Sequence, residues 1–387
     1  MQVVVIGAGP AGLMCAEVLS GAGHSVAVYD RMPSPARKFL MAGRGGLNLT
    51  HSEPFERFVS RYGKAAARLR PSLEAFTPGD LRAWADGLGA ESFVGSSGRV
   101  FPKAMKASPL LRAWLQRLTD RGVSLHLRQD WLGWDDEKLV FEQEKRFTIQ
   151  ADAVILALGG ASWPRLGGDG GWKTILEAEG VPVKPFQPSN VGFNTGWTQL
   201  FTERHAGTPL KTIALTFGGK TVRGEVMLTR HGVEGGAIYA LSAALRDAIV
   251  RHGHADLVID LRPDLNAGQV ISKLGRASPK DSLSNRLRKA LGLTPTAIAL
   301  MHETGATDVK AVTVRLTGVQ GLDRAISSAG GIALEAVSDS FELKALPGVY
   351  AVGEMLDWEA PTGGYLLQAC FSTAVMAARA IANSAQA

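Results

Sequence analysis

The segment QVVVIGAGPAGLMCAEVLSGAGHSVAVYDR, residues 2–31, constrains this chain more than any other. It reads as strand, glycine turn, helix and second strand. Val3 to Ile6 form an unbroken apolar run, the pattern of a parallel strand buried on both faces. Gly7, Gly9 and Gly12 make G-x-G-x-x-G: the first permits a tight turn, the second lets the backbone approach a pyrophosphate, and the third allows close helix–strand packing. Pro10 and Ala11 open the helix, whose free N–H groups and positive dipole end suit the same anion. The second strand, Ser25 to Tyr29, ends in Asp30, an acid placed to accept hydrogen bonds from an adenosine ribose, and Arg31 follows. A lone G-x-G-x-x-G is a weak signal, but here all the parts are in register. Asp30 speaks against a 2′-phosphate, so FAD or NAD is expected at this site and NADP is not.

The far end of the chain decides between them. GVYAVGE (348–354) is a short apolar strand ending in Gly353-Glu354. In FAD enzymes of the two-dinucleotide-fold type, such an acid binds the ribityl chain and a helix then starts beneath the flavin pyrimidine ring. Thr362, Gly363, Gly364, Tyr365 and Leu366 would open that helix, its dipole favouring negative charge at flavin N1 and O2. In the middle, ADAVILALGGASWP (151–164) is a buried strand that passes Ala157 into Gly159-Gly160. No second strand–G-x-G-x-x-G–helix unit exists; LGGDGGW (166–172) follows Pro164 and not a strand, so no separate nicotinamide domain is expected. The expected class is α/β: a Rossmann-type, two-dinucleotide-binding FAD fold (glutathione-reductase-like FAD domain) carrying an inserted β-rich plus helical domain.

These motifs together resemble the BaiN/RdsA-like (HI0933-like) family of bacterial NAD(P)/FAD-dependent flavoprotein oxidoreductases. The matching pieces are GAGPAG (7–12), ARKFLMAGRGGLNLTHSE (36–53), LALGGASWPRLGGDG (156–170), GVEGGAIYALS (232–242), SSAGGIALEAV (327–337) and GVYAVGEMLDWEAPTGGYLLQACFSTA (348–374). The family's second loop usually reads as three glycines followed by Arg-Cys-Asn. Here it reads Arg44-Gly45-Gly46-Leu47-Asn48, without the cysteine, which marks a divergent subgroup. The resemblance implies reduction of a conjugated C=C bond by hydride from flavin N5, with NADH or NADPH as reductant. Some members act on steroid-like enones and others are dihydrouridine synthases acting on ribosomal RNA. It also implies that Lys38, Gly43, Arg44, Gly45, Gly46, Asn48, Leu49 and Thr50 face the flavin.

The organisation follows from these anchors. Residues 1–187 and 322–387 read as a discontinuous FAD-binding domain with a helical insertion over about 53–121, and residues 188–321 read as an insert or substrate domain that begins after the proline-rich, linker-like VPVKPFQPS. TIALTFGGKTVRGEVMLT (212–229) reads as a hairpin turning at Gly218-Gly219. Ser278-Pro279-x-Asp281 predicts a capped helix start, and Thr294-Pro295 another. Cys15 and Cys370, the two cysteines, form no CxxC pair, so neither a disulfide framework nor a metal site is expected. No uninterrupted apolar stretch approaches the roughly 20 residues of a membrane helix, and no charged n-region precedes the first strand. A cytoplasmic monomer or small homo-oligomer with no membrane partner is expected.

Four residues are candidates for chemistry: His51 as proton donor or loop cap, Glu234 as acid or helix-start carboxylate, Tyr365 as a flavin or substrate contact, and Cys370 as proton donor or core residue. Arg57, Arg61, Lys64 and Arg68 share one face if 54–70 is a single helix, and Lys273, Arg276, Lys280, Arg286, Arg288 and Lys289 form a second basic stretch. Each reads as a solvated face or as a surface tracking phosphates, in a chain of net charge +6. Three functions stay open: an ene-reductase of uridine in ribosomal RNA, an ene-reductase or oxidase of a small-molecule enone or amine, and a non-catalytic flavin-binding or electron-transfer protein.

Overall fold

The computed structural model describes residues 1–384; the side chain of Arg44 also lies outside the described residues. The chain forms two compact units, one from Met1–Gln187 with the segment from Ser327 onward, the other Pro188–Ile326.

The first unit is built on a parallel five-stranded sheet in the order Val349–Ala351, Ala153–Leu156, Gln2–Ile6, Ser25–Asp30, Ser124–Leu127. The central strand is covered on both faces, as its apolar run requires, and Val3, Val4 and Val5 are fully buried. After it the chain turns at Gly7 (φ +107°), where a Cβ would stand 2.4 Å from the Ala157 carbonyl oxygen. At Gly12 a Cβ would stand 1.9 Å from the Gly7 oxygen, so only glycine lets the helix Pro10–Gly21 seat on the turn. That helix packs on the last one, Tyr365–Ser384, and the Cys15 thiol donates to the Ala374 carbonyl at 3.5 Å. By length and composition Tyr365–Ser384 is a helix able to cross a membrane, but 67% of its most apolar window is buried inside the unit, where it serves as a core helix.

The insertion is largely helical: Phe55–Ser60, Ala66–Ala75, Pro78–Asp86 and Ala107–Asp120, with a small sheet of Thr50–His51, Arg99–Phe101 and Phe93–Val94. Trp114 is fully buried and meets Trp84 edge-on and Phe371 at a tilt. The single helix expected over 54–70 is broken at Gly63 (φ +52°) by a 3₁₀ turn, so its four basic residues share no one face. Three of them are also used internally. Arg57 and Arg61 pair with Glu53, and Arg68 donates to the Val337 and Ser338 carbonyls beside Asp339.

Two further expectations are corrected. VPVKPFQPS contains a strand, Val183–Ser189, paired with Ser327–Ile332 in a two-stranded sheet. Its prolines are tolerated because a strand with one partner needs few N–H donors. The start predicted at Ser278 is a turn: the Ser278 hydroxyl accepts from the Lys280 N–H, and the helix begins at Leu283, capped by Ser282 accepting from the Asn285 N–H. A serine bonding its own local backbone competes with helix initiation, which explains the displaced start.

The second unit contains a closed antiparallel barrel in the order Phe193–Thr195, Gly232–Glu234, Lys220–Leu228, Pro209–Phe217, Ala255–Asp260, Val312–Val319. The predicted hairpin lies within it and turns at Gly218-Gly219, both at positive φ, with Phe217 opposite Lys220. Phe193, Leu215, Val226, Val233, Leu257 and Leu316 are fully buried in its core.

Candidate active site

The ends of the central strands, the loop after Gly43 and the start of the last helix carry the candidate residues of the first unit. Asp30 ends its strand with Oδ2 accepting the Ala8 N–H and Oδ1 the Met32 N–H, each at 2.7 Å. Burial pushes its carboxyl above the ordinary value, opposed by those two N–H groups and by the charges of Arg31 and Arg37. Arg31 turns to the loop 166–172, donating to Asp169 at 2.6 Å and to the Gly167 carbonyl at 2.9 Å. Glu354 is held from two sides. Lys38 Nζ lies 2.8 Å from its Oε2 and 2.8 Å from Ser162 Oγ, and the Ser328 N–H reaches Oε1 at 3.1 Å. Gly160 is pressed into this group, since a Cβ there would stand 2.0 Å from Ser328 Oγ.

The residues fit a bound dinucleotide. At Gly9, Gly45 and Gly159 a Cβ would meet no atom within 4 Å, whereas Gly7, Gly12, Gly160 and Gly364 are in close contact with the protein itself. These three glycines face open space; Gly159 also holds φ +73°, which itself favours glycine, whereas no contact within the protein requires Gly9 or Gly45. Among the described residues Asn48 Oδ1 is buried without a hydrogen-bond partner, a polar atom that a ligand would satisfy. Of the other loop residues, Gly43 packs against Ala107, Gly46 adopts φ +110°, and the buried Leu49 donates its N–H to the Val100 carbonyl.

A second cluster surrounds the start of the last helix. Gly364 (φ +96°) lies against the backbone of Thr50, and Thr50 Oγ1 donates to Gln368 Oε1 at 2.7 Å. The Tyr365 hydroxyl donates to Glu53 Oε1 at 2.5 Å; Arg61 donates to the same carboxylate through Nε at 2.9 Å and Nη2 at 2.6 Å, and Arg57 lies 3.2 Å away. Glu53 is the residue that sequence reasoning missed. Its signal was an acid four and eight residues before two arginines, legible only once the chain is seen to fold back there. Beside it opens a cleft of about 370 Å³ bounded by Thr50, His51, Glu53, Phe55, Thr77 and Arg82 among others.

A family model described as the HI0933-like protein Rossmann domain matches residues 1–380. The chain belongs to this family. A ribosomal RNA dihydrouridine synthase of Haemophilus influenzae is 26% identical, over 98% of this chain and 98% of its own length. A 3-dehydro-bile acid delta(4,6)-reductase of Clostridium scindens is 26% identical over 99% of both chains. Among solved structures, the open conformation of a flavocytochrome c3 fumarate reductase superposes with a TM-score of 0.56 at 16% identity, covering 100% of this chain and 78% of that one. This HI0933-like protein is an FAD-dependent oxidoreductase with a Rossmann FAD-binding fold and an inserted β-rich domain.

Of the catalytic candidates of this HI0933-like chain, His51, Tyr365 and Cys370 belong to the first unit and Glu234 to the second. His51 has both ring nitrogens engaged: Nδ1 accepts the Glu53 N–H at 3.1 Å, which leaves Nε2–H donating to the Ser97 carbonyl at 3.0 Å. Burial lowers its pKa, so the ring is neutral at pH 7 and acts as a loop cap stacked on Tyr365. The Tyr365 phenol is raised by burial and by its bond to Glu53, and its proton is already committed there. Cys370 lies beside Gly353; burial and the nearby Glu354 charge push its thiol up to about 12, so it stays protonated. Glu234 belongs to the second unit, at the end of a barrel strand opposite Met227, one residue before the Gly235 that caps a short helix.

Glu53 sets a pH dependence. Desolvation, the largest single influence, pushes its carboxyl up, but hydrogen bonds from Arg61 and Tyr365 and the arginine charge together hold it below the usual 4.5. A depressed carboxyl contributes stability that is present above the unfolded pKa and lost as pH falls through the folded one. Glu53→Gln is expected to cost roughly 1–2 kcal/mol at pH 7, discounted because Arg57 is largely exposed and Arg61 partly so. In denaturant titrations, the gap between wild type and variant should be full above about pH 5 and close progressively below it. A gap independent of pH between 3 and 7 would remove Glu53 from this role.

Proposed function

We propose that this chain binds FAD along the first unit and uses it to reduce a conjugated C=C bond, with uridine in ribosomal RNA as substrate and NADH or NADPH as the source of electrons. The observation that carries the flavin reading is the set of open glycines, Gly9, Gly45 and Gly159, with Glu354 held in place by Lys38. In this reading Gly7, Gly9, Pro10, Ala11 and Gly12 hold the pyrophosphate, and Asp30 and Arg31 hold the adenosine end. Glu354 and Gly353 take the ribityl chain, with Ala157, Gly159 and Gly160 alongside. The loop from Lys38 through Gly43, Arg44, Gly45, Gly46, Asn48 and Leu49 to Thr50 borders the ring. Thr362, Gly363, Gly364, Tyr365 and Leu366 bring the positive end of a 20-residue helix to the pyrimidine edge, where it favours negative charge.

Once bound and reduced by NADH or NADPH, FAD would supply hydride from N5 to the carbon β to the substrate carbonyl, which is C6 of uracil, and solvent would supply the proton that the α-carbon, C5, takes. His51, Tyr365 and Cys370 serve this chemistry by shaping and drying the site. Their protons are hydrogen-bonded elsewhere or held too tightly to be passed on at neutral pH. The uridine reading is supported by two relatives that act on ribosomal RNA, from Haemophilus influenzae and from Escherichia coli (25% identical over 96% of this chain). The Clostridium scindens reductase supports a second reading, a small-molecule enone, through the same bond chemistry.

The test is a dihydrouridine map of large-subunit ribosomal RNA from a strain lacking the gene, read by reverse transcription after alkali or borohydride. One stop should vanish, returning with the wild-type gene and not with Gly9→Asp. An unchanged map would leave the enone reading, to be pursued with the purified protein.

A further inference from the structure

The net charge of this chain is concentrated in one place. The 25 residues 267–291 carry six basic side chains and one acid, a net of +5, when the whole chain carries +6. They form two helices of the second unit, Ala267–Gly275 and Leu283–Leu291, packed against each other and anchored through the buried Val270, Leu287 and Leu291. Lys273, Arg276 and Lys280 are exposed and make no ion pair among the described residues. Among the described residues Arg288 bonds the neutral Asn285, and Lys289 is neutralised by Asp281 at 3.0 Å. The other basic stretch of the chain, 57–68, is largely spent on Glu53, Asp339 and backbone carbonyls.

We infer that this helical hairpin is the surface on which the protein docks the phosphate backbone of its RNA. The inference rests on the ribosomal RNA reading above and adds where the polymer is held. Charge complementarity selects a polyanion, because unpaired arginine and lysine gain affinity by displacing counterions from phosphates. RNA is favoured over an anionic lipid surface by what lies between the charges. The residues interspersed with the charges are polar, Gln269, Ser272, Ser278, Ser282 and Asn285, and the stretch has two large exposed apolar residues, Ile271 and Leu283. A helix that lies in a membrane interface needs a continuous apolar face, and here that face is turned into the unit.

The experiment uses the full-length, FAD-loaded protein and a fluorescein-labelled, single-stranded oligoribonucleotide of mixed sequence, about thirty nucleotides long. Anisotropy is followed across the salt range in which counterion release dominates. Lys273→Gln/Arg276→Gln/Lys280→Gln should flatten the slope of log affinity against log salt by about 2 and weaken binding about 100-fold near 0.1 M salt, at about 0.7 per lost phosphate contact. Flavin absorbance and denaturation midpoint should match wild type. Lys138→Gln/Lys145→Gln/Arg146→Gln removes the same charge from an exposed hairpin of the first unit and should change affinity by less than about threefold. Equal losses in the two variants would reduce the effect to net charge and overturn the surface. Wild-type binding that the first variant leaves intact would also overturn it while leaving the RNA reading standing. No binding by wild type, together with an unchanged dihydrouridine map, would remove both. Loss of capture by phosphatidylglycerol vesicles with RNA affinity unchanged would make the hairpin a membrane contact instead.

Discussion

Gly9→Asp is expected to give a folded, colourless protein. Gly9 sits at φ −79° and ψ 178°, an extended conformation open to any residue, and a Cβ there meets nothing within 4 Å. It is also the N-cap of the helix Pro10–Gly21 and lacks a side-chain cap, a position where aspartate is at least as good as glycine. The denaturation midpoint should therefore stay level or rise slightly. The cost falls on the ligand: a carboxylate about 4 Å from a pyrophosphate charge opposes it by about 4 kcal/mol at an effective dielectric near 20, about 1000-fold in affinity. Flavin absorbance after gel filtration reads the loss directly. A variant that stays yellow at wild-type stoichiometry would move the pyrophosphate away from this turn. Gly12→Ala makes the contrast, because its Cβ would stand 1.9 Å from the Gly7 oxygen and the damage would fall on the fold first.

Gly364→Ala is expected to lose about 3–5 kcal/mol of stability and most of the bound flavin with it. Its φ of +96° suits glycine alone, and a Cβ would stand 2.4 Å from Thr50 Cα, so either the short strand Thr50–His51 or the start of the last helix must move. Either shift strains the Thr50–Gln368 and Tyr365–Glu53 hydrogen bonds, which tie the insertion to that helix. Gly45→Ala is the matched control: its Cβ meets nothing within 4 Å, and its stability should stay within about 0.5 kcal/mol of wild type. Denaturant midpoints and flavin content, measured on both, separate packing from cofactor contact. Equal stability in the two variants would mean that the close approach at Gly364 relaxes easily.

Legibility followed range along the chain. The first strand, turn, helix and second strand were readable because every constraint lies within thirty residues: apolar run, glycine spacing and terminal acid act on neighbouring backbone. The two-glycine turn at 218–219 and the cap at Thr294 were readable for the same reason, and the structure shows both. Local reading failed where two local solutions competed. Ser278 offered a plausible cap, but Ser282 captured the helix start, and the pattern over 54–70 hid a break at Gly63. The proline-bearing strand Val183–Ser189 looked like a linker because its strand partner lies more than a hundred residues on.

The sequence by itself determined the Rossmann half-site and the glycine start of the last helix. Each is a short stretch whose backbone can do little else. The strand read as running to Gly353-Glu354 ends at Ala351, and those two residues open a 3₁₀ turn. Tertiary structure alone decided that six strands of the second unit close into a barrel, and that Lys38 meets Glu354 across 316 residues. It decided likewise that Glu53 receives the Tyr365 hydroxyl across 312, and that one basic stretch is largely spent on internal partners while most of the other is exposed. The reason is physical. A turn or a cap is settled by sterics and hydrogen bonds among neighbours, whereas the partner of a charged side chain is chosen by whichever distant segment the packed core brings beside it.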